Sequence, residues 1–320
     1  MWRRLAAVVS LFLLSPLIAE YLLGSLPMSM IAILPLMALM YGSGAILIRE
    51  WARRTGRGWP TIVLLATAYG LIEEGFVTQS LFNPNYLHLR LIDFGFIPLL
   101  GTALPWLVFV TSIHVIWSIS VPIALTESLF KGQRETPWLG WIGLTLFTVL
   151  FLAGCTIIAT FSYKQAPFLA TPAQFGVIGA VVLGLIVAAF LIPHARSNGR
   201  TAPHPLILFA AGFGAGSLLM LLEHFAEGQL HWPWPACLAA LLATESLFIV
   251  FMTLFTRGRT WSDIQRFSLM AGGLLVYAWA GFLTDKELHG VADLPAHSLI
   301  TAVFVLICGG AGLIALRQKH

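Results

Sequence analysis

In the stretch WPTIVLLATAYGLIEEGFVTQSLF, residues 59–82, an apolar run of bilayer-crossing length is interrupted by two adjacent carboxylates, Glu73 and Glu74. A carboxylate in the hydrocarbon core costs several kcal/mol unless it is paired, hydrated or protonated. Two side by side also repel each other, so both are not ionised together in a low dielectric. The pair is therefore read as the functional centre, and the rest of the chain for groups that can face it.

The surrounding composition fits a membrane rather than water. The chain has 320 residues, 58% hydrophobic and 10% charged, with a mean hydropathy of +0.86. Soluble domains carry about 25% charged residues. The fold class is all-α, a polytopic integral membrane bundle. Ten apolar stretches lie near 5–24, 28–48, 59–82, 98–130, 138–161, 174–193, 205–226, 233–256, 267–284 and 297–316, read as one transmembrane domain over 1–320. The first follows Arg3 and Arg4 as a secretory signal would, but Leu17-Ile18-Ala19 is a poor cleavage site, so it is taken as a retained helix. Cys155, Cys237 and Cys308 fall in apolar spans, without disulfide or zinc spacing.

The loop charges agree with this division. With the N-terminus inside, the inner segments hold 15 of the 18 cationic residues: Arg3, Arg4, Arg49, Arg53, Arg54, Arg57, Lys131, Arg134, Arg196, Arg200, Arg257, Arg259, Arg266, Arg317 and Lys319. The outer segments hold Arg90, Lys164 and Lys286. Positive charge concentrates on the cytoplasmic side of membrane proteins. The expectation is a multi-pass protein of the cell membrane with both termini cytoplasmic. The basic residues follow topology, so nucleic acid is not a partner; the bilayer is. Trp51, Trp59, Trp138 and Trp141 at inner ends, and Trp232 and Trp234 at an outer end, read as interfacial belts. Gly212-Phe213-Gly214-Ala215-Gly216 lies inside a span without a lysine partner and reads as close helix packing. The near-match of LTESLF at 125–130 to ATESLF at 243–248 leaves an internal repeat open.

Few polar residues lie at membrane depth. At helical spacing Glu74 shares a face with Thr67, Gly70 and Thr78, while Glu73 lies about 100° round, beside Tyr69 and Phe76. On the fourth span Thr111, His114 and Ser118 share a face, and Pro122 cannot donate to the Ser118 carbonyl. Counted from the inner ends at 1.5 Å per residue, Glu73 and His114 both lie about 21–23 Å deep. Glu73, Glu74 and His114 are therefore expected to meet as the catalytic group, with Thr78 and Ser118 flanking the same cavity and, together with Asn83, binding the substrate. The alternative for the trio is a buried ion pair that fixes helix packing. Glu20 reads as snorkelling at the end of the first span, and Glu127 and Glu135 as solvated at the inner surface. Glu223 and His224 read as a solvated helix-end pair. Glu245 needs a partner within the bundle, which the sequence does not identify. Asn83-Pro84-Asn85-Tyr86-Leu87-His88 reads either as a plain turn or as a cap over the cavity.

The run from Glu73 to Phe82, with His114 on the next span, resembles the CPBP group, the CAAX-prenyl-protease and bacteriocin-processing (Abi) proteins. These are intramembrane glutamic proteases with a Glu-Glu-x-x-x-Arg motif followed by Phe-x-x-x-His. The resemblance implies Glu73 as the base that activates water and His114 as a stabiliser of the oxyanion. Thr78 stands where that motif has arginine, and Val110 where the second has phenylalanine. The group's third motif, His-x-x-x-Asn or Asp, has no histidine to match it in the fifth and sixth spans.

Three functions stay open. The first is an intramembrane hydrolase or protease acting on a hydrophobic peptide or small molecule without a cofactor. Zinc held by the histidine and carboxylates is a lesser variant. The second is a proton-coupled transporter or channel in which Glu73, Glu74 and His114 relay protons. The third is a non-catalytic scaffold.

Overall fold

The computed structural model describes residues 2–193, 198–291 and 293–317, so Arg196 and Lys319 of the charge tally lie outside the described residues. Among the described residues ten helices are long and apolar enough to cross a membrane. They are α1 (Trp2–Leu22), α2 (Met28–Arg54), α3 (Trp59–Val77), α4 (Leu104–Leu129) and α5 (Trp141–Gln165). The chain continues with α6 (Pro172–Leu191), α7 (Pro205–Phe225), α8 (Trp234–Thr256), α9 (Asp263–His289) and α10 (Leu294–Arg317). The protein is an all-α polytopic membrane protein, as its composition requires.

Several boundaries differ from the apolar runs; the second helix, for one, runs on to Arg54 rather than ending at 48. The fourth span starts at Leu104 rather than near 98. Phe96–Ile97 (β1) pairs with Thr102–Ala103 (β2) in a small hairpin, and Pro105 opens the helix behind it. The third ends at Val77 rather than 82, where Thr78 closes on the Glu73 carbonyl and Gln79 turns the chain with φ 57°. The ninth is longer than 267–284 because Ser262 and Gln265 form a capping box ahead of Asp263.

Helices α1–α4 and α9 bury half or more of their most apolar stretch, and the other five a third or less. The first group forms the core, and the second presents its apolar sides outward, as lipid contact demands. Helix α9 lies against α7 and α10, α1 against α2, and α3 against α6 and the middle of α4. Trp117 of α4 stacks on Tyr277 of α9, with 4.4 Å between ring centroids, and donates its indole N–H to the Gly273 carbonyl at 2.8 Å. Close backbone contact explains two glycines. A Cβ at Gly212 of α7 would meet the Leu269 carbonyl oxygen at 2.8 Å, and one at Gly281 of α9 would collide with that of Leu22.

Three core spans change to π-helical winding over one turn: Leu17–Leu22 of α1, Glu73–Val77 of α3 and His114–Ser120 of α4. Such turns are rare and concentrate at functional sites. The one in α4 precedes Pro122, which has no N–H for the Ser118 carbonyl. Ser15 of α1 donates its hydroxyl to that carbonyl at 2.6 Å, tying α1 to the broken part of α4.

The loop 78–103 marks one end of the bundle. At the opposite, basic end Glu127 is buried rather than solvated, 3.1 Å from Arg49 and 2.7 Å from Arg53, whereas Glu135 is exposed. Trp138 is also buried, under the Arg49 guanidinium at 3.5 Å, and so is not a belt residue, while Trp141 is exposed. Both corrections share one cause: Arg49 is drawn into the bundle and brings its partners with it.

Candidate functional site

The π turn of α3 carries Glu73 and Glu74, and the π turn of α4 opens at His114. Gly70 permits their approach, since a Cβ there would lie 3.1 Å from the His114 Cβ. His114 Nε2 is 2.7 Å from Glu74 Oε1. Its Nδ1 is 3.1 Å from Ser118 Oγ and 3.2 Å from Glu73 Oε2. The second contact is close but misaligned, so Glu73 Oε2 has no hydrogen-bond partner although it is buried. Glu74 differs. Its Oε2 accepts from Thr78 Oγ1 at 3.0 Å and from Ser80 Oγ, and Ser80 is held in turn by the Trp106 indole N–H at 3.2 Å. One carboxylate is saturated and fixes the imidazole; its neighbour keeps an acceptor free.

The cluster is sealed. Glu73, Glu74 and His114 retain 2%, 6% and 5% of their exposure. Tyr41 of α2 stacks on the imidazole and Tyr69 of α3 meets it edge-on, both with centroids 6.2 Å away. The Tyr69 hydroxyl faces Glu73 and is buried without a hydrogen-bond partner. Two unpaired polar atoms so close together are uncommon in a protein interior.

Of the six residues expected at the site, Glu73, Glu74, His114, Thr78 and Ser118 come together. Asn83 does not: it accepts from the Asn85 amide at 2.9 Å and donates to the Ala166 carbonyl at 3.4 Å, which makes it a turn and loop-anchoring residue. His88 bonds Asn85 on the exposed surface at 3.1 Å, so the turn reading of this segment fits these contacts. Thr67 is half-buried and donates its hydroxyl to the Val63 carbonyl of its own helix rather than to the cluster. Elsewhere, Glu245 finds its partner in Ser112 of α4, and His224 is held by the Met220 carbonyl and Thr284. Glu223 is half-buried and lines a cavity of about 280 Å³ with Arg90, Glu227 and Trp106, rather than standing in solvent.

Glu20 lies furthest from the place its sequence position suggests. It does not snorkel. Its carboxylate takes the Tyr41 hydroxyl on one oxygen and Ser25 Oγ, at 2.6 Å, on the other. Tyr41 therefore touches both Glu20 and His114, and the π turn of α1 joins the other two. Helical periodicity hid this connection, because a π turn shifts every later side chain round the axis.

Ligand atoms of Glu73, Glu74 and His114 all lie within 4.8 Å of one another, a donor set of the kind that holds a divalent cation. Donors around a tetrahedral zinc sit about 3.3 Å apart, given bonds of about 2.0 Å. The 2.7 Å His114–Glu74 contact is shorter and is a direct hydrogen bond. The side chains are thus arranged to share protons, and would have to spread to take a metal.

Fold and site together define a polytopic helical membrane protein with a buried carboxylate–imidazole cluster. A family model described as an uncharacterized membrane protein family matches residues 9–226, and the chain belongs to that family. The match includes the whole cluster and Glu20. No curated protein and no solved structure matches the chain.

Proposed function

We propose that Glu73, Glu74 and His114 bind and pass protons within the membrane, and that the protein is a proton-coupled transporter. The observation that carries this is the meeting of three π-broken core spans, each bringing an ionisable group to one place. Ionisable residues deep in membrane spans mark proton and ion pathways, and broken helices commonly line them. Two carboxylates and one imidazole are neutral together when they hold two protons, one on the imidazole and one on a carboxyl. Losing one leaves a net negative charge in low dielectric, which favours entry of a cation or a new proton. Such a site alternates between two charge states, as coupling requires.

The test is proton uptake by the purified protein after a pH jump, followed with an indicator dye. Wild type is expected to take up one proton per chain more than Glu73→Gln. Equal uptake by the two would overturn the reading.

A second reading is favoured by the unpartnered Glu73 oxygen: an intramembrane hydrolase with Glu73 as general base, as the likeness to the CPBP group suggests. Here His114 has both nitrogens engaged by protein groups, so it would orient and balance charge rather than bind an oxyanion. The Tyr69 hydroxyl is the better-placed donor for that role. Cleavage of hydrophobic peptides in detergent, lost in Glu73→Gln, would favour this reading.

We further read residues 1–320 as one transmembrane domain in the cell membrane, with its basic end cytoplasmic. Labelling of single cysteines introduced into whole cells is expected to reach residue 90 from outside and residue 257 only after permeabilisation. External labelling of 257 would reverse the orientation.

A further inference from the structure

Burial creates a difficulty for any proton site. Glu73 is 2% exposed, so its proton cannot exchange with water directly. A path must run through side chains, and the hydrogen bonds around Tyr41 supply one.

We infer that Tyr41 and Glu20 form the route by which Glu73 exchanges its proton with water at the end of the bundle that bears the loop 78–103. The inference rests on the proton-transfer reading above. Tyr41 is 4% exposed; its hydroxyl donates to Glu20 Oε1, and its ring stacks on His114, whose Nδ1 lies 3.2 Å from Glu73 Oε2. Glu20 is only half-buried, and its other oxygen takes Ser25 Oγ at 2.6 Å. Ser25 lies in the turn between α1 and α2, beyond the last π turn of α1. The route is therefore Glu73, Tyr41, Glu20, Ser25, then the bundle end.

The transfer balances. A protonated Glu73 gives its proton to the Tyr41 oxygen as the Tyr41 hydroxyl proton passes to Glu20. The tyrosine ends neutral, and rotation of its hydroxyl resets it. Glu20 then releases the proton to water. The other titratable groups near Glu20 are Tyr21 on its own turn, Tyr69 of α3, Tyr277 of α9 and Tyr86 of the loop, with Glu73 and His114 beyond them. A route through Tyr41 also explains why a tyrosine, rather than a phenylalanine, stacks on His114. The ring contact needs no hydroxyl, but the relay does.

The test is time-resolved infrared spectroscopy of the full chain in liposomes after a pH jump. The protonated-carboxyl band of Glu73 is assigned by its loss in Glu73→Gln. Tyr41→Phe keeps the ring on His114 and removes only the hydroxyl. It is expected to slow the appearance of that band by ~100-fold, in the range that a positioned proton-transfer group supplies, without moving its midpoint pH. Glu20→Gln is expected to slow it similarly, and it carries the test should Tyr41→Phe fail to fold. Tyr21→Phe removes a hydroxyl next to Glu20 that donates to the Met30 carbonyl instead, and is expected to leave the rate unchanged. Wild-type rates in both Tyr41→Phe and Glu20→Gln, with the band present, would overturn the relay and leave the proton site standing. Equal slowing in Tyr21→Phe would also overturn it, since the effect would then belong to the aromatic surroundings. Absence of any band lost in Glu73→Gln would remove the proton site itself, and the relay with it.

Discussion

The bundle buries two clusters of charge, and they are built on opposite plans. At the basic end Arg49 uses all five of its N–H groups: one on Glu127, two shared between Glu50 and the Thr136 carbonyl, and two on the Gln133 and Arg134 carbonyls. Glu50 in turn takes the backbone N–H groups of Trp138 and Leu139 at 2.8 and 3.1 Å. Arginine does not lose its proton in proteins, so this cluster has one charge state. At the other cluster the cation is a histidine, which titrates readily. One carboxylate is saturated there, and the other has a free buried oxygen. Both clusters meet the cost of desolvation, but only the second keeps a choice of states. The difference separates a lock from a site more firmly than burial does.

The largest effect is expected from breaking the lock. Arg49→Met leaves Glu50 and Glu127 buried without their main partner, although Arg53 still reaches Glu127 at 2.7 Å. Removing one side of a buried pair costs about 3–5 kcal/mol. Thermal unfolding in detergent should show a large fall in midpoint, or no folded protein. Adding Glu50→Gln to Arg49→Met should recover part of the loss, because the uncompensated charge is then gone while an amide oxygen remains to accept from the Trp138 N–H. A single variant as stable as wild type would mean the basic cluster is not a lock.

A smaller loss, about 1 kcal/mol, is expected for Ser15→Ala. This hydroxyl serves the Ser118 carbonyl that Pro122 cannot, at the π turn beneath His114. The same unfolding assay checks it. A fall as large as that of Arg49→Met would show that the broken α4 turn depends on α1 far more than one hydrogen bond implies.

These two clusters were unequally legible in the sequence. The ten spans followed from composition, and the meeting of Glu73, Glu74 and His114 from counting residues along two antiparallel helices. Depth arithmetic is robust because an error of two residues shifts a side chain by only about 3 Å. Rotation about the axis is not robust: one extra residue turns a face by about 100°. The π turn of α1 therefore concealed the contact between Glu20 and Tyr41. The basic cluster was hidden for another reason. Arg49, Glu50 and Glu127 sit near helix ends, where charged residues are ordinarily solvated. Only the path of the 130–140 segment, which carries five of the groups bonded to Arg49 and Glu50, shows them enclosed.

The smallest effect on stability is expected where the effect on function is largest, and this sharpens the comparison most. Glu73→Gln changes one oxygen to an amide of nearly the same size. Its Oε2 makes no hydrogen bond that the change would remove, and the Tyr69 hydroxyl beside it has none either. The glutamine amide can donate to that hydroxyl, so a new bond can replace the charge. Loss of a buried negative charge also lowers the desolvation cost. The unfolding midpoint should therefore stay at the wild-type value or rise, while the proton uptake assigned to Glu73 disappears. A residue present to fix packing would show the reverse: stability falls and proton binding is untouched. His114→Asn separates the two further, because it removes the imidazole that both carboxylates face. If Glu73 only balances His114, Asn at 114 with Gln at 73 should be no less stable than Gln at 73 alone, and proton uptake should already be absent from either single variant. If Glu73 binds its own proton, His114→Asn should retain that uptake with a shifted midpoint pH, and the double variant should lose it.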